Sequence, residues 1–231
     1  EEFPVFVSGK NANNQALDTL SLGRVSSGET IIIDGEFNEI TWKNLHTIGE
    51  LHQVFPVEYA QPAQKTEIRV AYDSNYLYVA AMLFDDDMAT LKNNVMSQGQ
   101  DISIDDVFGI VLDTFSDKSN GYYFATNANA FKEEGLISNN TSYLSDWDGV
   151  WQVETKINAT HWTVEMAIPF KTLSFSGENS KWGINFLREL KDPQQLLYWA
   201  SHGNVPSPWA PEHAGNIDGF NDLSQANGLD V

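Results

Sequence analysis

Asp85, Asp86 and Asp87 are followed by Asp101, Asp105 and Asp106, all close to the ends of apolar runs, and Asp113 closes the last of those runs. Carboxylates placed together repel one another and raise their own pKa values unless a cation or hydrogen bonds offset the charge. Calcium accepts about 6 to 8 oxygen ligands in flexible geometry, which loops after strands supply readily. Asp85, Asp87, Asp105 and Asp106 are the expected calcium ligands, while Asp86 alternates to the opposite side and faces water. Asp113 reads as an ordinary strand-end residue. The competing reading of the whole group is a solvated acidic edge. A bound metal would raise the melting temperature, and a chelator would lower it.

Aromatic residues supply a second kind of chemistry. Tyr143, Trp147 and Trp209 stand among polar and turn residues, where no strand period places them in a core. Sugar rings present apolar C–H faces that stack on indoles, so an exposed Trp suits a carbohydrate platform. Loop aromatics can equally fold back to seal the ends of a sandwich. Trp147, in Ser145-Asp146-Trp147-Asp148-Gly149, invites the sealing reading, and Trp209, between Pro208 and Pro211, fits either. Trp42, Trp162, Trp182 and Trp199 read as core.

Signatures of catalysis are missing from the sequence. It has no Gly-x-Ser-x-Gly elbow, no phosphate-cradling glycine loop after a strand and no His-Glu-x-x-His pair. Its histidines, at 46, 52, 161, 202 and 213, are scattered. Glu133 and Asp148 could serve as the two carboxyls of a glycosidase, but 32 acidic residues make any such pair uninformative. Those 32 stand against 13 basic residues, and the net charge of −19 repels nucleic acid and anionic lipid alike. With no cysteine, disulfides and thiolate chemistry are excluded. No apolar run approaches the ~18 residues of a spanning helix. The opening Glu1-Glu2-Phe3-Pro4 is compatible with an exported chain whose signal has been removed.

The elements that carry these residues are mostly strands. Ile68–Tyr72 alternates, and Tyr76–Phe84 is apolar at almost every position, as in a strand covered on both faces. Asp73-Ser74-Asn75 between them is turn chemistry, so the two form a hairpin. A second hairpin is predicted from Trp151–Ile157 and Trp162–Ile168 around Asn158-Ala159-Thr160. Further strands are expected at Ile31–Ile33, Val107–Leu112, Gly121–Asn129, Trp182–Leu190 and Leu197–Ser201. A brief helix capped by Asn38 should run to Leu45, helical turns to cover Met88–Asn94, and a single turn Phe170–Leu173. Residues 46–65 and 130–148 read as loops. The pattern predicts an all-β, two-sheet antiparallel, jelly-roll-like sandwich with short helical turns. Residues 1–30 are an extended lead-in and 31–231 one domain.

Four stretches carry a family resemblance. They are Ile-Asp-Gly-Glu-Phe-Asn-Glu-Ile-Thr-Trp at 33–42, Arg-Val-Ala-Tyr-Asp-Ser-Asn-Tyr-Leu-Tyr-Val at 69–79, Asp-Asp-Val-Phe-Gly-Ile-Val-Leu-Asp at 105–113 and Trp-Thr-Val-Glu-Met-Ala-Ile-Pro at 162–169. Together they resemble carbohydrate-binding module family 9 and its wider superfamily, which includes the haem- and sugar-binding DOMON domains. A subtype is suggested by Gly-Tyr-Tyr-Phe-Ala-Thr-Asn at 121–127, Trp-Asp-Gly-Val-Trp at 147–151 and Trp-Gly-Ile-Asn-Phe-Leu-Arg at 182–188. It looks like the amino-terminal domain that precedes an outer-membrane β-barrel in many Gram-negative bacterial proteins. Leu229-Asp230-Val231 would then mark a truncation, and the domain would be periplasmic or outer-membrane associated.

The resemblance implies a non-catalytic module that binds an oligo- or polysaccharide. Sugar-binding relatives sandwich a sugar between two Trp rings, with Glu, Arg and Asn on its hydroxyls. Trp209, with Asn204 and Ser207 before it, matches one Trp and its polar neighbours, and Arg188 is a further candidate beside Tyr143 and Trp147. The second Trp, the Glu and the Arg fall near Ile102, Phe108 and Ala125, so the full clamp is not reproduced. Two alternatives follow. One is an interaction or gating domain of a membrane β-barrel that has lost the sugar site, and the other is haem binding through Met82, Met88 or Met96 with His202.

Overall fold

The computed structural model describes residues 19–48, 51–97, 101–176, 181–201, 209–220 and 223. Among them the chain forms β1 (Thr19–Ser21), β2 (Gly23–Arg24), a helix α1 (Ile40–Asn44), β3 (His52–Phe55), β4 (Thr66–Tyr72), β5 (Tyr76–Phe84), β6 (Val107–Asp113) and β7 (Gly121–Asn127). There follow β8 (Lys132–Ser138), β9 (Ser142–Leu144), β10 (Gln152–Ile157), β11 (His161–Pro169), β12 (Trp182–Lys191), β13 (Gln194–Tyr198) and β14 (Gly215–Asp218). They pair into two sheets. One, nine-stranded among the described residues, runs β1-β14-β12-β6-β7-β8-β9, with β13 on β12 and β3 on β13; the other runs β10-β11-β5-β4-β2. The expected all-β sandwich is therefore the architecture found.

Strand alternation decides which side chains meet. Leu77, Val79, Ala81 and Leu83 of β5 and Trp162, Val164, Met166 and Ile168 of β11 face Phe108, Ile110 and Leu112 of β6 and Trp182, Ile184 and Phe186 of β12 in one buried cluster. Each such side chain contributes roughly 1.5–3 kcal/mol by leaving water. Both predicted hairpins form. In the first, Asp73 Oδ1 accepts the amides of Asn75 and Tyr76 at 2.7 and 2.8 Å, the turn geometry that aspartate favours. As its composition implies, β5 is covered on both sides, because Tyr78 and Ala80 pack outward against Ile31, Trp42, Ala71 and Ala167.

That outer cover is not the strand expected at Ile31–Ile33. The segment crosses the small sheet without pairing and is held instead by Glu165 of β11, whose carboxylate accepts the amides of Asp34 and Gly35 at 3.0 and 2.9 Å and the Trp42 indole at 2.8 Å. Gly35 has φ +78°, and a Cβ there would lie 2.9 Å from the Thr155 carbonyl carbon, so only glycine fits. Helix α1 starts after Glu39, which makes no side-chain cap, so Asn38 does not cap it.

Other expectations also shift. The described part of the lead-in supplies one strand to each sheet, β1 parallel to β14 and β2 parallel to β4. Residues 86–89 are turns and 91–96 are irregular, with no helix at Met88–Asn94. Strands β3, β8 and β9 lie within the two stretches expected to be loops.

Buried carboxyls set the response to pH. Burial pushes Glu165 up to about 7 and Asp106 up to about 6, and it raises Asp113 and Glu133 as well. Asp105, Asp117 and Asp101 are held below the usual range by hydrogen bonds that their carboxylates accept. A raised carboxyl binds its proton more tightly folded than unfolded, so its stabilisation is complete below the unfolded pKa and is lost as pH rises through the folded one. A lowered carboxyl loses its contribution as pH falls. The melting temperature should therefore peak near about pH 5 and decline toward about pH 8, as read by circular dichroism across that range. A flat profile would contradict the burial of Glu165 and Asp106.

Candidate functional site

The outward face of the large sheet carries a cleft built from residues far apart in sequence. Strand parity turns Tyr122 and Phe124 of β7 inward and leaves Tyr123 outward, opposite Gly135 of β8, while Glu133 faces out two residues earlier, opposite Ala125. Tyr143 of β9 pairs with Ile137 and lays its ring back across β8. That position exists because residue 135 is glycine: a Cβ there would stand 2.4 Å from Tyr143 Cε2. Trp209 reaches the same place from the last described segment. Tyr123, Glu133, Ile137, Tyr143 and Trp209 line a cleft of about 110 Å³.

Its geometry is an aromatic corner with a carboxyl in the wall. The Tyr123 and Tyr143 rings are perpendicular, at 89° with centroids 5.7 Å apart, and the Tyr143 and Trp209 rings meet at 51° and 6.4 Å. The Tyr143 hydroxyl lies 3.1 Å from Glu133 Oε1 and 3.2 Å from the Glu134 carbonyl oxygen, so its hydrogen is directed at acceptors on β8. Burial raises the Glu133 carboxyl, and the nearby Asp101, Glu134 and Glu189 add to the rise against the Tyr143 hydrogen bond. Burial likewise raises the Tyr123 and Tyr143 hydroxyls, so both remain protonated donors. Apolar ring faces beside a hydrogen-bonding carboxyl and two hydroxyls suit a ligand with both C–H faces and hydroxyls.

Of the expected ligand residues, Trp209 and Tyr143 are brought together, whereas Asn204 and Ser207 lie outside the described residues. Trp147 is elsewhere. It packs on Tyr122 and Phe124 at 5.2 and 5.8 Å against the main core, with its ring over Gly149, so the sealing reading holds. Arg188 also leaves the site. On β12 it pairs with Phe108, whose side chain points into the sandwich, and its neighbours Leu187 and Glu189 take the outward positions. Its guanidinium donates to the Lys65 carbonyl, Thr66 Oγ1 and the Phe84 carbonyl at 2.9, 3.1 and 2.7 Å.

The places where the family clamp would put a second Trp, a Glu and an Arg are filled by packing. Ile102, Phe108 and Ala125 are all fully buried, Ile102 and Ala125 in one cluster with Val95 and Val107, and Phe108 in the main core. Residues that the sequence reading missed are Tyr123, Gly135 and the pairing of Glu133 with Tyr143. The outward tyrosine was readable from the alternation in Gly121-Tyr122-Tyr123-Phe124. The rest depended on β8 and β9, whose polar sequences carry little strand signal.

Among the described residues no group of three or more His, Asp or Glu side chains stands together as metal ligands would. Asp105 accepts the amides of Asn94 and Val95 and the Asn127 side chain at 2.7 to 2.9 Å. Asp106 accepts the Lys191 amide at 2.7 Å and, with Asp85, faces Arg188. Asp87 and Asp86 are exposed, and Asp113 accepts the amides of Asp117 and Lys118 in an ordinary strand-end turn. Of the four named aspartates, Asp105 and Asp106 thus already accept hydrogen bonds from the protein, whereas Asp85 Oδ2 is buried without a partner among the described residues. Among the haem candidates Met82 and Met88 are partly buried and Met96 is exposed, and His202 lies outside the described residues.

Comparison with known proteins agrees with this architecture. The family model for a carbohydrate family 9 binding domain-like unit matches residues 33–195. Two solved structures of a family 9 carbohydrate-binding module from Caldicellulosiruptor kristjanssonii superpose with TM-scores of 0.60 and 0.61 at 19% and 18% identity, one in complex with glucose and the other with cellotriose. Both alignments cover 93% of this chain, with 100% and 97% of the respective modules. A candidate carbohydrate-binding protein from Bacteroides uniformis ATCC 8492 superposes with a TM-score of 0.69 at 14% identity, over 87% of this chain and 98% of that one. No curated protein matches the sequence. The sandwich, the buried Glu165 that joins two of the sequence stretches and the match over most of the chain lead to one statement: this chain belongs to the carbohydrate family 9 binding domain-like family.

Proposed function

We propose that the protein is a non-catalytic carbohydrate-binding module whose ligand face is the outward surface of the large sheet around Tyr123, Glu133, Tyr143 and Trp209. The observation that carries this is the convergence of Trp209 and Tyr143 in one cleft with Glu133, in a member of a binding-module family. Neighbours of the same fold that hold glucose and cellotriose support a saccharide as the ligand class. The indole and the phenol rings take the C–H faces, and Glu133 and the tyrosine hydroxyls take the sugar hydroxyls. One stacking platform with few polar partners suits the end or the edge of an oligosaccharide rather than a deeply enclosed ring.

The test is affinity electrophoresis or calorimetry against neutral glucans and a glycan array, with Trp209→Ala beside the parent chain. Loss of the indole should weaken binding about fivefold or more, since stacking of this kind is worth about 1 kcal/mol. Binding to no glycan, or binding untouched by the substitution, would overturn the assignment. A second reading, an interaction or gating domain of a membrane β-barrel in an exported, periplasmic or outer-membrane protein, draws on the burial of Ile102, Phe108 and Ala125 where clamp residues would stand. It predicts a barrel segment in the same gene. Calcium would join either reading on a melting temperature that rises in millimolar calcium and falls back with chelator.

A further inference from the structure

We infer that the cleft selects a cationic sugar unit, one carrying a protonated amine such as a glucosamine residue, over neutral and acidic units. The inference rests on the carbohydrate-binding reading above and narrows its ligand. Two parallel rings would grip a flat pyranose on both faces. Here the rings stand at 89° and 51° to one another around a space of only about 110 Å³, so they enclose a compact group. Aromatic faces are the negative side of the ring quadrupole, and a cation within about 6 Å of a centroid is attracted to them.

Charge in the wall points the same way. Glu133 Oε1 already meets the Tyr143 hydroxyl, while Oε2 accepts no hydrogen bond among the described residues and is left for a donor on the ligand. The charged groups that bear most on Glu133 are Asp101, Glu134 and Glu189, all acidic. Lys191, the cation beside them, is paired with Glu189. An ammonium satisfies Oε2 through a charge-assisted bond, roughly twice as strong as a neutral one, and offsets the crowding of carboxylates. A uronate brings a further negative charge to the same place and is repelled.

Calorimetry on the full chain at about pH 6, where a sugar amine is protonated, decides the matter. The probes are the glucosamine trimer, its N-acetylated counterpart, cellotriose and a glucuronate-containing oligomer. The glucosamine trimer should bind about tenfold tighter than cellotriose, the N-acetylated trimer should resemble cellotriose, and the uronate should bind weakest. Glu133→Gln should collapse the ratio of glucosamine trimer to cellotriose to near unity. A ratio near one in the parent chain, a ratio that survives Glu133→Gln, or one that survives Trp209→Ala as diffuse attraction to an acidic protein would each overturn the inference while leaving neutral-glycan binding intact. Failure to bind any of the four would instead overturn the carbohydrate reading itself.

Discussion

Replacing Arg188 with methionine should destabilise the protein by about 3–5 kcal/mol, the cost of breaking a buried charge pair from one side. Arg188 is 1% exposed and ties β12 of the large sheet to the start of β4 and the end of β5 through its three donated hydrogen bonds. Burial lowers its pKa to about 10, with Asp106 and Asp85 opposing the fall, so it stays charged at neutral pH. Methionine fills the volume but leaves two buried carboxylates without their cation and takes the guanidinium donor from Thr66 Oγ1 and the Phe84 carbonyl, while the Lys65 carbonyl keeps the Phe84 amide. Lysine keeps the charge and loses the planar fork, so it should fall between the two. Urea unfolding gives the measurement, through a lower midpoint at an unchanged slope. A loss under about 1 kcal/mol would show that the guanidinium is a passenger. Adding Asp106→Asn to Arg188→Met should recover part of the loss, because it removes one stranded charge.

Glu165→Ala is expected to cost about 3 kcal/mol, since two amides and an indole lose their acceptor in a place water does not reach. The carboxylate is 0% exposed and its partners, Asp34, Gly35 and Trp42, fasten the whole 31–45 segment over the small sheet. Thr163 Oγ1 adds a bond to the Gly35 carbonyl at 2.6 Å, so the strand-borne pair Thr163 and Glu165 holds both sides of one peptide turn. Trp42 fluorescence should move to the red as the segment loosens, in step with the lowered urea midpoint. Glutamine keeps one acceptor and should cost less. It should also flatten the decline in stability between about pH 5 and pH 8, because the carboxyl raised to about 7 is then gone. Stability within about 1 kcal/mol of the parent in Glu165→Ala would mean that the segment is held by Trp42 and Ile31 packing alone.

Glu165 also explains why two of the family stretches stand out in the sequence. Ile33 to Trp42 and Trp162 to Pro169 are distant in the chain, yet one supplies the donors and the other the acceptor of a single buried knot. Their composition reflects the fold more than the ligand. The residues proposed to bind lie outside them, on β7, β8, β9 and at Trp209.

What the sequence determined by itself was whatever a short window of residues can enforce. Asp73-Ser74-Asn75 sets a hairpin because an aspartate side chain can satisfy the next amides locally, and the alternation from Trp151 to Ile168 states which face is buried. The absence of cysteine and the charge of −19 removed whole classes of chemistry before any fold was known. Tertiary structure alone decided the rest. β8 is a strand because β7 offers it a pairing edge, and β9 because β8 does in turn, although Glu133, Glu134 and Gly135 carry little strand propensity of their own. Ile31 to Ile33, strand-like in composition, lies unpaired because Glu165 claims its neighbouring amides. Arg188 turns inward and Tyr123 outward through parity along strands whose register only their partners fix. The cleft itself joins residue 123 to residue 209, a contact between remote positions that local propensity does not encode and that exists only once the sheet has brought them to the same face.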